Sequence, residues 1–270
     1  MFHYLCVMDL LITYRHTIGF DLKYCLRSID KYAKGIDKIY IIGDFPNYLK
    51  ESEDLIHLPI TEPKWLGDNK CAAVWYKLHQ ACKDERISEK FVQFSDDYFL
   101  TKEVDFETYK NKRREYPLSH MADGTKILPG ASNGYIKLRR YTSRWLKTNG
   151  YKDVNYDLHQ PMIFEKSKLI TISDTLSWRK KNITGDAPYA LKSCYGNFFN
   201  EPCEKSKDVK ILFEDELEDN PRFQEAIFSI GDFVFTPETC NIFKGLYPEK
   251  SKWEVLEKVK GRPDIAKKKI

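Results

Sequence analysis

The stretch VMDLLITYRHTIGFDLKYCLRSIDKYAKGIDKIYIIGD, residues 7–44, holds one repeat of strand, helix and strand. Residues 7–13 are a short apolar run of the kind that forms a buried strand. In residues 21–34 apolar side chains recur at helical spacing, and Gly35 is expected to end the helix. The β-branched residues 38–42 predict a second strand. This order is typical of parallel strands with a helix packed against the sheet.

The same alternation continues beyond residue 44. Further predicted elements are a helix over 68–82 capped by Asp68, a strand over 91–94, a helix over 136–147, a strand over 162–164 and a helix over 253–260. The predicted fold class is therefore α/β, with a mostly parallel central sheet and helices on both faces. We assign residues 1–243 to a single domain and residues 244–270 to a basic C-terminal helix or tail.

Composition excludes several classes of protein. Hydrophobic residues make up 42% of the 270 residues, which is enough apolar material for a core and excludes a wholly disordered chain. The seven cysteines are scattered without a Cys-x-x-Cys pair, which favours reduced thiols and a cytoplasmic location over disulfides or a zinc cluster. No stretch approaches eighteen consecutive apolar residues, and the first residues lack a basic leader, so we expect no membrane insertion.

Polar clusters follow three of the predicted strands. They are Tyr14-Arg15-His16, Gly43-Asp44 and Ser95-Asp96-Asp97. In open parallel sheets, ligands bind beyond the carboxyl ends of the strands. The sequence therefore predicts a binding site where these three clusters meet.

The adjacent carboxylates of Asp96 and Asp97 are the sharpest chemical feature. Two neighbouring carboxylates repel each other unless a cation compensates them, so removal of one predicts unchanged or higher stability. A Mg²⁺ or Mn²⁺ ion would compensate them and complete its coordination with a diphosphate. His159, just before the strand at 162–164, is a candidate nitrogen ligand for the same ion. The alternatives are a solvated turn and a structural histidine.

The positive charge is concentrated in one internal segment. Residues 110–147 contain ten basic and two acidic residues, whereas the chain as a whole carries a net charge of only +4. Arginine side chains can bind phosphates, and aromatic rings can stack on bases or sugars. The candidates for such contacts are Arg139, Arg140, Arg144, Tyr141 and Trp145. The alternative is an ordinary solvated helix face with its aromatic residues in the core.

Three blocks of sequence resemble Stealth-like sugar transferases. They are DLKYCLRSIDKY with DKIYIIGDFPNYL (21–49), FVQFSDDYFL (91–100) and DLHQPMIFEKSKL (157–169). The second block is similar to the Asp-x-Asp element of nucleotide-sugar glycosyltransferases with the GT-A fold. The resemblance implies this fold, a nucleoside-diphosphate-sugar donor and a divalent metal, Mn²⁺ or Mg²⁺, bound by Asp97 and His159. It also implies donor contacts from Tyr14 and Arg15, with Asp96 facing the ribose or the metal. Asp44, in the polar cluster after its strand, is a further candidate for donor binding.

One departure from the family bears on the reaction. Stealth phosphotransferases open with a Trp-Val-Asp-Gly motif, and this chain has Ile12-Thr13-Tyr14-Arg15-His16 in its place. The departure favours simple glycosyl transfer from the nucleotide-sugar to a hydroxyl acceptor over transfer of a sugar phosphate.

A carboxylate could deprotonate the acceptor hydroxyl in such a reaction, and Asp157, Asp186 and Asp123 are the candidates. A hydroxymethylated pyrimidine in DNA is a specific candidate acceptor, because residues 110–147 are so basic. The alternatives are a Stealth-type hexose-1-phosphate transferase acting on a polysaccharide and an inactive nucleic-acid-binding module.

Overall fold

The computed structural model describes residues 8–16, 19–66, 70–121, 133–176, 189–212, 220–231, 234 and 236–255. Its strands are β1 (Met8–Tyr14), β2 (Ala33–Lys34), β3 (Ile36–Gly43), β4 (Leu55–Leu58), β5 (Lys90–Ser95), β6 (Tyr98–Leu100), β7 (Val104–Asp105), β8 (Lys112–Arg113), β9 (Met162–Glu165), β10 (Glu204–Lys205), β11 (Lys210–Ile211) and β12 (Ile227–Ile230). Its helices are α1 (Asp21–Tyr32), α2 (Lys70–Ala81), α3 (Asn133–Thr148), α4 (Lys166–Thr175), α5 (Leu191–Phe198) and α6 (Pro237–Leu246).

A five-stranded sheet forms the centre of the molecule, in the order β4-β3-β1-β5-β9. The first four strands are parallel, and β9 runs antiparallel to β5. The predicted α/β class with a mostly parallel central sheet is therefore confirmed. The arrangement is compatible with the GT-A-like fold that the resemblance implies.

Alternating residues of the central strands belong to two separate hydrophobic clusters. Leu10 and Ile12 of β1 join one cluster with α1 and α6, whereas Leu11 joins the other with α2, α3, α4 and α5. Successive side chains of a strand point to opposite faces, and both faces here are covered. The predicted helices on both faces follow directly from this burial.

The helix after β1 is two residues shorter than its spacing predicts. It ends at Tyr32, because Ala33 and Lys34 leave the helix to pair with β7. Gly35 then adopts a φ of +73°, a conformation that glycine reaches at little cost. The sequence predicts a helix over 253–260, but the described part of this segment, residues 253–255, is not helical. Instead, Glu254 forms an antiparallel bridge with Leu49. The predicted cap Asp68 and residues 256–260 lie outside the described residues.

A second sheet, in the order β11-β12-β6, lies beyond the carboxyl end of β5. Residues 244–255, assigned to the tail on sequence, contribute Tyr247 and Trp253 to the first hydrophobic cluster. Arg27 of α1 forms a bidentate ion pair with Glu254, with nitrogen–oxygen distances of 2.6 and 2.8 Å. This part of the predicted tail is thus integral to the core. Among the helices of the described residues, none has the length and apolarity needed to cross a membrane.

Candidate functional site

Three parallel strands bring the predicted polar clusters to one edge of the sheet. Tyr14 at the end of β1 is in register with Gly43 of β3, and Thr13 with Ser95 of β5. The side chains that follow these positions therefore share the carboxyl edge, as the sequence predicts. Gly43 has a φ of +113°, and a Cβ there would clash with the backbone carbonyl of Tyr14. Only glycine allows that approach.

An ion-pair network lies at the ends of β1 and β3. Arg15 pairs with Glu62, which also binds the ammonium of Lys77 at 2.8 Å. Lys77 in turn donates to the Tyr14 carbonyl at 2.7 Å, and the amide of His16 donates to Asp44 at 2.6 Å. Arg15 and Asp44 are exposed at the edge. The sequence gives no local signal for the roles of Glu62 and Lys77.

Tyr14 differs from the other predicted donor contacts. Its side chain is 2% exposed and belongs to the first hydrophobic cluster. Its backbone carbonyl accepts the hydrogen bond from Lys77 at the edge. The ring packs in the core, and its predicted donor contact stays a prediction.

The carboxylate of Asp97 is compensated by side chains from the second sheet. Its Oδ2 lies 3.2 Å from the Lys210 ammonium and accepts a hydrogen bond from Ser229 at 3.1 Å. Burial raises the pKa of Asp97, but Lys210 and His159 more than offset this and hold it below its usual value. The prediction of unchanged or higher stability without Asp97 stays untested, but the Lys210 pair favours lower stability, because Lys210 would lose its partner.

The other oxygen of Asp97 is a buried acceptor. Within the described residues Oδ1 has no hydrogen-bond partner of ordinary geometry, although nearby Ser95 helps to keep the pKa low. Asp96, the neighbouring carboxylate, is half-buried, and its Oδ1 lies 3.5 Å from the Ser95 hydroxyl. A buried carboxylate oxygen without a donor is open to a cation or a ligand.

His159 forms a carboxylate–imidazole pair with Asp208. Its Nδ1 lies 3.0 and 3.1 Å from the two oxygens of Asp208, which also binds the Arg114 guanidinium. Burial raises the pKa of Asp208, but the bonds from His159 and Arg114 overcome this and hold it far below its usual range. With Asp208 ionised, Nδ1 is the ring nitrogen that donates a hydrogen bond to it. Sequence reasoning missed Asp208 and Arg114 as site residues.

Asp157 is held by two donors from α3. Its Oδ2 accepts hydrogen bonds from the Tyr135 hydroxyl at 2.8 Å and from Arg139 at 3.2 Å. Burial raises the pKa of Asp157, but the Arg139 charge and the Tyr135 bond bring it below its usual value. A carboxylate so stabilised is a weak base, so the geometry does not favour the predicted role of Asp157 as proton acceptor. The other candidates, Asp123 and Asp186, lie outside the described residues.

The basic helix α3 divides the predicted acceptor contacts into two groups. Arg140, Tyr141 and Arg144 are exposed. Arg139 is 1% exposed and bound to Asp157, so it cannot contact a phosphate at the surface. Trp145 is half-buried and packs against the second hydrophobic cluster, where its ring stacks on those of Tyr151 and Phe198. The burial of Arg139 corrects the prediction of a surface phosphate contact for that residue, whereas the contact predicted for Trp145 stays a prediction.

The predicted metal site has few protein ligands. The described residues contain no group of three or more His, Cys, Asp or Glu side chains placed to hold an ion. The orphaned Oδ1 of Asp97 nevertheless fits a hard cation that takes one or two carboxylates and the phosphates of a substrate. The residues present therefore suit a Mg²⁺ or Mn²⁺ ion that arrives with its substrate.

The fold and the polar edge together define an α/β protein with a candidate binding site at the carboxyl ends of its parallel strands, and comparisons with known proteins add to this. Residues 15–117 match the family model described as Stealth protein CR2, conserved region 2. A capsular polysaccharide phosphotransferase of Actinobacillus pleuropneumoniae is 27% identical over 189 residues, covering 64% of this chain. The chain spans about half the length of that relative, since the match covers 48% of it. The predicted resemblance to Stealth-like proteins is confirmed by these matches.

Proposed function

We propose that this protein is a sugar transferase that moves a glycosyl group from a nucleoside-diphosphate sugar to a hydroxyl acceptor. The observation that carries the proposal is the Asp208–His159 pair beside Asp97, beyond the carboxyl end of β5. The similarity to the Actinobacillus phosphotransferase supports the general part of the proposal, namely that this protein transfers a chemical group. The glycosidic product, the donor and the acceptor are parts of our proposal.

The chain's own residues divide the chemical work. The lone pair of His159 Nε2 accepts the proton of the acceptor hydroxyl, while Asp208 orients the ring and stabilises the imidazolium that forms. Arg114 keeps Asp208 ionised. This gives His159 the role of base, in place of both the predicted metal-ligand role and the predicted carboxylate bases.

We assign the predicted Mg²⁺ or Mn²⁺ ion to the Oδ1 atom of Asp97, with Asp96 beside it. When bound, such an ion would neutralise charge that develops on the departing diphosphate. Arg15 and Asp44 remain the donor contacts of the proposal, since both are exposed at the same edge.

Transfer of a sugar phosphate is the second candidate, favoured by the name of the Actinobacillus relative. The two reactions break different bonds of the same donor. Cleavage between the sugar carbon and the diphosphate releases a nucleoside diphosphate, whereas cleavage between the two phosphorus atoms releases a nucleoside monophosphate. The released nucleotide therefore identifies the reaction.

The acceptor remains a proposal of its own. Hydroxymethylated DNA fits the exposed cations Lys137, Arg140 and Arg144 of α3. A polysaccharide acceptor fits the relative's name, and an inactive DNA-binding module would bind without turning over any donor. The proposed DNA acceptor therefore requires both binding and transfer.

The test is a donor panel with the full chain, in Mn²⁺ or Mg²⁺, with the released nucleotides separated by chromatography. We expect a nucleoside diphosphate from at least one donor. His159→Gln should reduce its release by about a hundredfold. Asp37→Asn, at an exposed position of β3, should not alter it. Release of the monophosphate would replace our proposal by the second candidate, and release of neither nucleotide from any donor would refute both.

A further inference from the structure

Lys192 of α5 binds the backbone on both sides of His159. Its ammonium donates to the carbonyl of Leu158 at 3.0 Å and to that of Gln160 at 2.5 Å. The third hydrogen bond goes to the hydroxyl of Tyr98 at 3.2 Å, and the charge also lies 5.4 Å from the centre of that ring. An ammonium group has three donors, and this one uses all of them.

These bonds matter because the segment around His159 has no strand or helix to hold it. Residues 151–158 have no regular structure, and β9 begins only at Met162. On one side Asp208 binds both the backbone amide and the ring of His159. On the other side Lys192 binds the carbonyls of both flanking residues, and the side chain of Gln160 is also held, by Ser206 and the Lys207 carbonyl.

The third partner connects the segment to the other half of the site. Tyr98 begins β6 and follows Asp97 directly in the chain. Lys192 therefore links the residue after Asp97 to the two residues that flank His159. A shift of the ammonium would alter the distance between the proposed cation site and the proposed base.

We infer that Lys192 is a positioning residue that holds His159 at its place relative to Asp97. The inference rests on the proposed function for its effect on catalysis, although the positioning itself is a property of the folded chain. Lys192 touches no reacting atom in this role, because its three donors are occupied by the protein.

The electrostatic cost of this lysine supports the same conclusion. Burial lowers its pKa to about 8, although the charges of Asp157, Asp97 and Asp208 act in the opposite direction. The hydrogen bonds to the two carbonyls and to the Tyr98 hydroxyl offset part of the cost of burying this charge. A neutral side chain such as methionine would avoid that cost but could not bind the two carbonyls.

The experiment compares Lys192→Met with Lys192→Arg and with the control Lys166→Met. Lys166 also donates to a backbone carbonyl, that of Ile87 at 2.7 Å, but at the start of α4. Turnover on the best donor, hydrogen exchange of amides 158–160 and the NMR signal of the His159 ring are measured on each. The ring signal is assigned by its loss in His159→Gln.

We expect Lys192→Met to lower kcat by about 10- to 100-fold, with KM for the donor changed less than about threefold. Exchange of amides 158–160 should become at least about tenfold faster, and the ring signal should shift. Lys192→Arg should recover most of the lost turnover, because it keeps the charge and several donors. Lys166→Met should lower the melting temperature alone. If Lys192→Met does not fold, Lys192→Gln gives the same comparison.

Unchanged exchange and an unchanged ring signal in folded Lys192→Met would overturn the inference. A lower melting temperature with no change in these signals or in the ratio of kcat to KM would overturn it as well, since Lys192 would then act like Lys166. If the wild-type chain turns over no donor, the proposed function fails, and the exchange and NMR measurements still decide whether Lys192 positions His159.

Discussion

Replacing Asp97 by asparagine removes the negative charge of the side chain but keeps its size and shape. The oxygen that accepts from Ser229 is retained, but Lys210 loses the negative charge 3.2 Å from its ammonium. Both side chains of the ion pair are mostly enclosed, with 17% of Asp97 and 19% of Lys210 exposed. The substitution therefore leaves an enclosed ammonium without its counter-charge.

The expected loss of stability follows from these distances. At an effective dielectric constant of about 20, two unit charges this far apart attract by about 5 kcal/mol, and the cost of desolvating them offsets a large part. A net loss of about 2 kcal/mol corresponds to a fall of about 4–8 °C in the melting temperature of a domain near this size. The double variant Asp97→Asn/Lys210→Met should regain most of that loss, because no unpaired charge remains.

Activity should respond differently from stability. We expect turnover to fall by about a hundredfold or more in both variants, since each lacks the carboxylate proposed to hold the cation. Differential scanning fluorimetry and the nucleotide-release assay measure the two properties on the same preparations, with Asp37→Asn as the control. An unchanged or raised melting temperature in Asp97→Asn would show that repulsion from Asp96 outweighs the Lys210 pair. Full turnover in that variant would remove Asp97 from the site.

Three further outcomes are expected. Glu254→Gln should lower the free energy of unfolding, measured in urea, by about 3 kcal/mol, because Arg27 then stays buried without its charge partner. A variant as stable as the wild type would contradict this prediction. Asp54, whose pKa is lowered from 3.8 to about 2 despite the opposing effect of burial, stabilises the fold above about pH 4. That contribution, about 1 kcal/mol at this partly exposed site, is lost as the pH falls through about 2, and unfolding curves of Asp54→Asn should lack it. The variant Arg140→Ala/Arg144→Ala should bind DNA more weakly, with a salt slope reduced by about two, while release of nucleotide without acceptor continues; unchanged binding would exclude this face of α3.

The sheet and the position of the site were predictable because they depend on local patterns. Apolar runs in the central strands reflect burial on both faces, so β1, β3 and β5 could be located to within about two residues. Parallel strands end at the same edge, which is why the order of the elements already places Arg15, Asp44 and Asp97 together. His159 was singled out by its motif as well as its place before a strand.

The partners of these residues were decided by the tertiary structure alone. Lys210 lies 113 residues from Asp97, and Asp208 lies 49 residues from His159. Nothing local distinguishes these two from the many other lysines and aspartates of the chain. Their selection depends on the second sheet, which brings β11 and β12 against the end of β5.

Arg139 is a residue whose sequence pattern predicts exposure although the fold buries its side chain. Its sequence neighbours suggested an exposed basic face, and the periodicity of α3 does place Arg140 and Arg144 in solvent. The fold turns Arg139 inward because Asp157 supplies a buried counter-charge from outside the helix. Sequence alone thus determined the strands β1, β3, β5 and β9, the helices α1, α2 and α3 to within a few residues, and the edge where the site lies, because local periodicity encodes burial. Only the tertiary structure decided which charges pair inside the fold and which face the surface, because ion pairing depends on distances between segments far apart in the chain.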